Sequence, residues 1–529
     1  MITSVLKSKV DAIRQDFYNA NKAQSSDVVN QLTMLMFIKM LDDKQNAIEA
    51  QSAIIGTPVP DSELTFKSGN YTNYEKDLNG NKTKRFTIPY ADLRWKNFKN
   101  LNPQDLSKRV RDYVIPFVMD TDNKAVGKFA EYSSEYAYGF NSKERLLANV
   151  VDKLSEVNPE TNRDYFNFVD TDLMGDVYEY ICGSGISGQY RTPRHIIDMA
   201  VEMMKPKLGE KIIDPAMGTA GFIIEAAKYI QEHQKAELLN NENKKKFNNE
   251  MFYGIDNDTN MARIGYMNCL LHNIKNPQIT MESLLEGENV KDLLGKFDLV
   301  LQNPPFSGAI ENTLTNSKLL SICNTSKTEF LFVTLMLQLM KIGGRGMSIV
   351  PDGVLFNEQS QAHVNLRKEL VDKQKLIAVI SMPNGLFQAP SKKGSASKGA
   401  GVKTSFLVFE RTDNGGTDNV WFYDMNNDGY TLDAKHEPIE GSNIPDIIER
   451  FNHLSSEINR SRTDKSFMVP VEEIRNNNYN LTLNKYKEKI IVKKEYRKTS
   501  DIIKDLIENN KLCSDNLARI IKQYEKDTK

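Results

Sequence analysis

One strand, turn and helix unit limits the folds open to this chain more than any other stretch. Residues 211–213, Lys-Ile-Ile, predict a short strand, and residues 223–233, IIEAAKYIQEH, predict a helix. Between them lies DPAMGTAGF, a turn of small residues in which Gly218 and Gly221 let the backbone approach a ligand closely. The free N–H groups at the helix start add binding capacity. The unit is typical of nucleotide-holding α/β proteins, although many such turns serve packing only.

Further strand and helix signals alternate after this unit, which is the pattern of a parallel α/β sheet. The predicted strands are residues 251–255, 278–281, 298–301, 346–350, 376–381 and 404–409. The predicted helices are residues 261–272, 328–341, 444–458 and 501–524. The chain from about residue 165 onward is therefore expected to form one sheet covered by helices.

Acidic and polar residues follow the second and third predicted strands. Asp256, with Asn257, ends the second strand, where a carboxylate can accept both ribose hydroxyls of a nucleoside. The alternative is a helix N-cap, but Asp258 is available for that role, so the ligand role is favoured for Asp256. Glu282 and Ser283 end the third strand and form a polar pair suited to a base edge.

Two nucleotide-binding patterns are disfavoured. A dinucleotide fold requires GxGxxG with an acid ~20 residues further on, whereas this turn lacks the full glycine set and Asp256 follows Asp214 by about twice that distance. No GxxxxGK[ST] phosphate loop is present either. The glycine spacing therefore argues against a nicotinamide oxidoreductase.

Residues 297–306, FDLVLQNPPF, end a buried apolar run in Asn303, Pro304, Pro305 and Phe306. The prolines lock the local backbone, so the Asn303 amide and the Pro304 carbonyl are held in fixed directions. Two fixed acceptors beside an aromatic ring suit the capture of an exocyclic amino group while the ring stacks on its base. A stiff turn without any such function stays an open alternative for four residues alone.

The first 155 residues predict a separate helical region. One predicted helix is amphipathic, with its apolar face toward a core. Its apolar residues recur at three- and four-residue spacing: Val28, Val29, Leu32, Leu35, Met36, Met40 and Leu41. Residues 56–100 are rich in Gly, Asn, Ser and Pro and predict a long irregular excursion.

Composition favours a cytoplasmic protein of several domains. The chain has 529 residues, of which 40% are hydrophobic and 26% charged. The N-terminal stretch carries scattered charges and predicts no signal peptide, and the most apolar segment, residues 330–340, has about half of the ~20 residues that a membrane span needs. The four cysteines are far apart and contain no CxxC pair, so neither a disulfide framework nor a metal site is expected.

Taken together, these segments resemble the amino-methyltransferases of DNA, most closely the modification (M) subunit of type I restriction-modification systems. The resemblance is carried by GQYRTP at residues 188–193, IIDPAMGTAGF at 212–222, GIDND at 254–258 and NPPF at 303–306, in the family's order. Residues 172–180, GGRGMSIVPDGVLF and PVEEIRNNNYNLTLNKY add to it. It implies a Rossmann-like S-adenosylmethionine-dependent methyltransferase sheet, flanked by a helical N-terminal domain and a helical C-terminal extension.

The resemblance also implies roles for individual residues. The tetrapeptide from Asn303 to Phe306 is the catalytic site for a flipped-out adenine. The cofactor residues that it implies, together with those inferred above, are Gln189, Tyr190, Thr192, Asp214, Met217, Gly218, Thr219, Gly221, Asp256, Asn257, Glu282 and Ser283. Thr192 is placed near the methionine carboxylate, and no metal is needed. The chain departs from the family where Met217 replaces a common cysteine, Ala220 a common glycine and Asp256 a frequent glutamate.

The expected function is N6-adenine methylation of double-stranded DNA within a type I complex. A net charge of −1 fits a chain that relies on a partner for much of its DNA grip. The resemblance implies a separate specificity subunit, bound by two M subunits, and a restriction subunit in the full complex. Alternatives are N4-cytosine or another amino-group methylation, or a non-catalytic scaffold on the same fold. The predicted domains are residues 1–160, 165–415 and 416–529.

Overall fold

Nine strands of one mixed sheet set the architecture of this chain. The computed structural model describes residues 3–20, 25–76, 81–120, 123, 126, 144–169, 173, 177, 180, 192–306, 308–387, 401–432, 437–488 and 498–527. The strands are β1 (Asn70–Lys76), β2 (Lys82–Pro89), β3 (Val157–Asn158), β4 (Arg163–Asp164), β5 (Ile212–Asp214), β6 (Phe252–Asp256), β7 (Gln278–Met281), β8 (Phe297–Gln302), β9 (Met340–Pro351), β10 (Lys375–Ser381), β11 (Thr404–Glu410), β12 (Asn419–Asp424) and β13 (Ser466–Pro470).

Helices precede, connect and follow these strands. They are α1 (Ser4–Asn19), α2 (Ser25–Ile55), α3 (Trp95–Phe98), α4 (Pro103–Arg109), α5 (Ile115–Val118), α6 (Glu144–Leu154), α7 (Arg194–Met204), α8 (Gly221–His233), α9 (Asn241–Asn249), α10 (Thr259–Leu271), α11 (Ser317–Ile322), α12 (Thr328–Leu339), α13 (Asp352–Phe356), α14 (Gln361–Lys368), α15 (Ile444–Asn452), α16 (Val471–Asn476), α17 (Leu483–Tyr486) and α18 (Thr499–Asp527). A π-helical turn, Val110–Val114, joins α4 to α5.

The central sheet has the order β13-β12-β10-β11-β9-β8-β5-β6-β7. Strands β7, β6, β5, β8 and β9 are parallel, whereas β11 lies antiparallel between β9 and β10. Strand β12 continues the sheet parallel to β10, and β13 closes it antiparallel to β12. The predicted α/β class and each predicted strand are confirmed, and the sheet is mostly parallel instead of fully parallel.

Two hydrophobic cores cover the two faces of the sheet. Alternate residues along a strand point to opposite faces, and so Ile212 belongs to one core while Ile213 belongs to the other. The first core also contains buried residues of the N-terminal helices, and the second contains those of α12. The short strand β5 is therefore buried on both sides.

Helix α2 is buried all round over residues 31–42, so its predicted amphipathic character is wrong. Its buried charged side chains, Lys39 and Asp42, have ionic partners inside the fold, which makes their burial tolerable. The fully buried Lys39 Nζ lies 2.9 Å from Asp43 and 2.7 Å from Asp164. The predicted apolar positions from Leu32 to Leu41 are buried, as expected.

The segment 56–100 contains the antiparallel hairpin β1–β2 and is not wholly irregular as predicted. Tyr71 and Ile88 face each other across the two strands, and both are buried. The Tyr71 ring packs edge-on against Phe117 at 4.9 Å between ring centroids. One face of the hairpin is exposed, so only the other face carries apolar side chains. Such a sparse apolar pattern does not predict strands from the sequence.

The helix predicted at residues 328–341 ends at Leu339, where β9 begins. Met340 is extended because it pairs with Phe297 of β8, so strand pairing limits the helix.

The sheet continues past residue 415, where the sequence places the end of its domain. Strands β12 and β13 both lie beyond that residue and belong to the central sheet. Residues Met1–Tyr486 form one compact unit, and Lys487–Lys529 form a second that contains α18. Within the described part of the chain, no helix combines the length and the apolar character that crossing a membrane requires.

Candidate active site

The carboxyl ends of four parallel strands meet at one edge of the sheet. Asp214 is the last residue of β5 and Asp256 the last of β6. Glu282 directly follows β7, and Asn303 directly follows β8. The chain runs outward from β5 through β6 to β7 and then returns to β8 on the other side of β5. Such a reversal opens a crevice at the carboxyl ends, where α/β proteins bind their ligands.

The turn after β5 is fixed by its own backbone. The Ala220 N–H donates to the Met217 carbonyl at 2.7 Å, and the Met217 N–H donates to the Ile255 carbonyl at 3.0 Å. Gly218 has a φ of +50°, and a Cβ built there would meet no heavy atom within 4 Å, so the turn is open at this point. Ala220 has a φ of 65°, a conformation that costs a residue with a side chain roughly 1–2 kcal/mol. This cost explains physically why glycine suits position 220 better than alanine.

Asp256 ties the end of β6 to that turn. Its Oδ2 accepts a hydrogen bond from the Gly218 N–H at 3.0 Å, and its Oδ1 accepts one from the Asp258 N–H at 2.9 Å. Burial raises the pKa of Asp256 to about 6, although these backbone hydrogen bonds oppose the rise. Asp258 is the N-cap of α10, and its side chain accepts from the Asn260 N–H. The helix therefore has its own cap, as the sequence argument for Asp256 requires.

Asp214 is an almost completely buried carboxyl group. Its Oδ1 accepts a hydrogen bond from the Ala216 N–H at 3.0 Å. Burial raises the pKa of Asp214 to about 8, the hydrogen bond from Ala216 opposes the rise, and the charge of Asp256 adds to it. A positively charged ligand at this edge would stabilise the ionised form of this carboxyl.

Asn268 supports the turn and was missed by the sequence reasoning. This residue of α10 is buried, and its Nδ2 donates to the Thr219 carbonyl at 3.1 Å. The available signal was a polar residue between Met267 and Cys269 in an otherwise apolar helix segment. Thr219 thus contributes its backbone to a contact that orients the turn.

Two predicted cofactor residues fill packing positions. The buried Met217 side chain lies against Gly254 of β6 and Gly265 of α10, where a Cβ would overlap its sulfur or terminal methyl group. A Cβ at Gly221 would come within 2.8 Å of Ile197 Cδ1, so this glycine lets α8 approach α7. We therefore expect Met217 and Gly221 to face a ligand through their backbone only.

Three further predicted cofactor residues, Asn257, Glu282 and Ser283, follow strands β6 and β7 at the same edge. Asn257 and Glu282 are exposed, and the Glu282 N–H donates to the Asp256 carbonyl at 3.2 Å. Ser283 accepts from the Asn289 side chain through its carbonyl at 3.2 Å. Gln189 and Tyr190 lie outside the described residues.

The Asn303 side chain is held by a residue far away in sequence. Its Nδ2 donates to Thr192 Oγ1 at 2.9 Å, and Thr192 is buried. The preceding Gln302 is fully buried and donates to Ser348 Oγ at 2.9 Å and to the Phe332 carbonyl at 3.1 Å. These contacts anchor the end of β8 and so fix the position of the tetrapeptide. Gln302 was also missed, because a single glutamine in an apolar run carries no functional signal.

Phe306 is largely buried in this structure, with 7% of its surface exposed. Its ring packs edge-on against Phe387, with 5.5 Å between centroids and an angle of 85° between ring planes. Pro304 is buried and Pro305 exposed. Among the described residues, no cluster of three or more His, Cys, Asp or Glu side chains could hold a metal ion.

Fold and site together define a Rossmann-like methyltransferase, with acidic residues at two strand ends and Asn303 at a third. Two family models cover most of the chain. The N-6 DNA Methylase model matches residues 169–495, and the HsdM N-terminal domain model matches residues 2–154. The chain belongs to the N-6 DNA methylase family.

Individual relatives agree with this assignment. The chain is 26% identical over 489 residues to the type I restriction enzyme EcoEI methylase subunit of Escherichia coli, covering 91% of this chain and 90% of that one. It is 31% identical over 275 residues to the EcoKI methylase subunit of Escherichia coli K12, covering 48% of each. The fold resembles a type I restriction-modification methyltransferase subunit from Streptococcus thermophilus, with a TM-score of 0.60, 18% identity, and coverage of 90% and 100% respectively.

Proposed function

We propose that this chain transfers a methyl group from S-adenosylmethionine to the N6 amino group of adenine in double-stranded DNA, as the modification subunit of a type I restriction-modification complex. The carrying observation is the convergence of Asp214, Asp256 and Asn303 at one edge of the sheet. This arrangement supports a nucleoside-binding turn beside two acceptors for an amino group. A cytoplasmic location belongs to the same proposal.

The turn after β5 fits S-adenosylmethionine in chemistry. The open position at Gly218 leaves room for a close backbone approach. Asp256 is a half-buried acceptor suited to ribose hydroxyls, and Asp214 is a buried carboxyl that a cationic cofactor would stabilise in its ionised form. When bound, S-adenosylmethionine supplies an electrophilic methyl group. The chain itself supplies the position and orientation of the groups that react, which carries most of the rate enhancement.

Asn303 and Pro304 act on the amino group of the base. An aromatic amino group is a weak nucleophile because its lone pair is delocalised into the ring. Hydrogen bonds from the amino group to Asn303 Oδ1 and to the Pro304 carbonyl would localise that lone pair as charge develops. Paired adenine hides this group in the duplex, so the base must be flipped out. Stacking on Phe306 then requires its ring to become more exposed than it is here.

Partners supply what the chain lacks. The net charge of −1 favours a separate specificity subunit that reads the target and shares the DNA contacts. All side chains of residues 499–526 in α18 are exposed, and one stripe of the helix is apolar. We propose that this stripe docks on the specificity subunit, in a complex of two M subunits with one such subunit, to which a restriction subunit binds. The stripe consists of Ile503, Leu506, Leu517, Ile520 and Tyr524.

The central assignment is tested by Asn303→Ala in the purified complex with the specificity subunit. We expect the variant to lose about 100- to 1,000-fold in methyl transfer, because one fixed acceptor is removed. Labelled S-adenosylmethionine and duplex DNA provide the activity readout, and a titration with the cofactor alone is expected to match the wild type. Undiminished transfer by the variant would contradict the role of Asn303.

A further inference from the structure

We propose that Thr404 is a specificity-determining residue, whose hydroxyl group donates a hydrogen bond to a ring nitrogen of the flipped-out adenine. This inference rests on the proposed function and deepens it, because Asn303 and Pro304 contact only the amino group of the base. Adenine and cytosine both carry such an amino group, so these two acceptors alone do not distinguish them. A polar group further across the base separates them.

The Thr404 hydroxyl group is buried and unsatisfied. Thr404 is the first residue of β11, and 0% of its surface is exposed. Its Oγ1 has no hydrogen-bond partner in the part of the chain that the structure describes. A buried hydroxyl group without a partner is costly, because it gives up its hydrogen bonds to water and gains none in return. Few buried polar groups in folded proteins are left in this condition, and a base bound here would supply the missing acceptor.

The register of the sheet places Thr404 on the same face as Asn303. Leu301 of β8 pairs with Met347 of β9, and Met347 pairs with Val408 of β11. All three belong to the first hydrophobic core, so they share a face of the sheet. Alternate residues along a strand face the same side, and Asn303 and Thr404 are each an even number of residues from this row.

The two residues also lie at the same edge. The Asn303 side chain is bonded to Thr192 directly before α7, and the buried residues of α7 belong to the first core as well. Thr404 pairs with Pro351, the last residue of β9. Strand β9 lies between β8 and β11. Two strand spacings and two residues along the strand put the Cα atoms of Asn303 and Thr404 roughly 12 Å apart. Side chains that approach from this separation can contact opposite sides of one base.

The aromatic pair beside the tetrapeptide adjoins Thr404. The Met382 N–H donates to the Thr404 carbonyl at 3.0 Å, and Phe387 forms an antiparallel bridge with Val402. Backbone pairing therefore holds Phe387 close to Thr404, and the Phe387 ring packs on Phe306. The hydroxyl group thus lies near the ring on which the base is expected to stack.

The neighbouring Ser405 has the opposite arrangement. It is also buried, but its side chain points to the other face of the sheet. There its Oγ donates to Asp352 Oδ1 at 2.9 Å. Of these two adjacent hydroxyl groups, that of Ser405 is satisfied within the described chain and that of Thr404 is not. Ser405 is therefore a matched control for Thr404.

The test compares Thr404→Val and Thr404→Ser in the complex of the full chain with the specificity subunit. The substrates are duplexes with adenine, 1-deazaadenine, 3-deazaadenine or 7-deazaadenine at the target position, and each analogue lacks one ring nitrogen. We expect Thr404→Val to lose about 10-fold in kcat/KM on adenine, because valine keeps the shape of threonine and removes the hydroxyl group. On one analogue the wild type should show the same loss, and Thr404→Val should lose nothing further. Thr404→Ser is expected to retain most of the activity on adenine.

Stability is expected to change in the opposite direction from activity. Thr404→Val removes an unsatisfied buried polar group, so its unfolding midpoint in urea should equal or exceed that of the wild type. Ser405→Ala removes a satisfied hydrogen bond, so its midpoint should fall while its kcat/KM on adenine stays within about twofold of the wild type.

An unchanged kcat/KM of Thr404→Val on adenine would overturn this role. Losses that simply add on all three analogues would also overturn it, as would a lower unfolding midpoint with the same loss on every base, since both results assign Thr404 to packing. If the wild-type complex methylates no adenine, the proposed function falls together with this role. An active wild type with additive losses removes the role of Thr404 alone.

Discussion

The two halves of the candidate site are built in different ways. In the cofactor half, the turn after β5 and the end of β6 are held by backbone N–H groups, such as those of Gly218 and Asp258, which bind Asp256. In the acceptor half, the Asn303 side chain is held by Thr192, at a separation of 111 residues. The contacts of the cofactor half depend on one side chain, that of Asp256, because their donors belong to the backbone. A contact between remote side chains depends on each of them.

This difference predicts a separation of effects. Substitutions in the cofactor half should change the affinity for S-adenosylmethionine and leave the acceptor geometry intact. Substitutions in the acceptor half should change the rate of transfer and leave cofactor affinity intact. The predictions below test that separation, beginning with the largest expected effect.

Asp256→Ala is expected to weaken binding of S-adenosylmethionine about 100-fold. The variant loses a charged acceptor for the ribose hydroxyls, and hydrogen bonds to charged groups contribute roughly 1.5–3 kcal/mol each. Calorimetric titration of the complex without DNA measures the effect. Asp258→Ala is the matched control, because Asp258 caps α10 and should alter stability more than affinity. Equal affinity in Asp256→Ala and the wild type would remove Asp256 from the cofactor site.

Gly254→Ala is expected to destabilise the fold by about 1–3 kcal/mol. The added Cβ would overlap the Met217 sulfur, and overpacking of a close-packed core has a cost of this size. Chemical denaturation of the variant measures it. Met217→Cys should recover part of the loss when combined with Gly254→Ala, because the shorter side chain vacates the overlap. Simple additivity of the two changes would argue against this packing account of Met217.

Cofactor affinity is expected to rise with pH between about 6 and 8. Both acids have raised pKa values, near 6 for Asp256 and near 8 for Asp214. Under the proposed function, each would hold the cofactor in its ionised form. Their charge is lost as the pH falls through those values, so affinity should fall about 10-fold per pH unit below the pKa of a required carboxylate. Titrations with S-adenosylmethionine from about pH 5.5 to about pH 8.5 provide the measurement, because this range spans both pKa values. Asp214→Asn should flatten the upper part of the profile.

The same pKa values give a stability prediction of the opposite sign. Between the ordinary carboxyl pKa and about 8, the folded protein without cofactor binds more protons than the unfolded chain at Asp214 and Asp256. Their contribution to the free energy of unfolding therefore decreases as the pH rises through this window. Urea unfolding of the wild type and Asp214→Asn at several pH values distinguishes this contribution, since the variant should show a weaker dependence.

Ala220→Gly is expected to produce the smallest effect, a stabilisation of up to about 1 kcal/mol. Glycine adopts the left-handed conformation of this position without strain, and the higher entropy of glycine in the unfolded chain offsets part of that gain. Thermal unfolding measures the change, with kcat expected to remain unchanged. A destabilised variant would show that the Ala220 methyl group contributes more to packing than its conformation costs.

Much of the fold could be predicted from local sequence patterns. The strand at residues 278–281 has the predicted bounds, and β10 and β11 differ from their predictions by one residue at one end. Strands β10 and β11 are largely apolar runs bounded by polar or turn residues. The hairpin β1–β2 was not predicted, because only one of its faces is buried and its strand residues are largely polar.

Helix α2 shows why exposure cannot be inferred from polarity alone. Lys39 and Asp42 read as surface residues in the sequence, yet both are buried. Their partners, Asp164 and Arg94, come from segments well beyond the helix. A lone helix pattern contains no information about such partners, so the helix appeared amphipathic.

By itself, the sequence determined the class of sheet, the turn after β5, the acids at two strand ends and the place of the tetrapeptide after β8, because each depends on neighbours close in the chain. Only the tertiary structure decided that Thr192 meets Asn303 and that Asp428 meets His195. It also decided that Asn268 holds the Thr219 carbonyl. The order of the strands and the packing of the helices bring these residues together. No repeating pattern in the sequence predicts a hydrogen bond between residues so far apart in the chain.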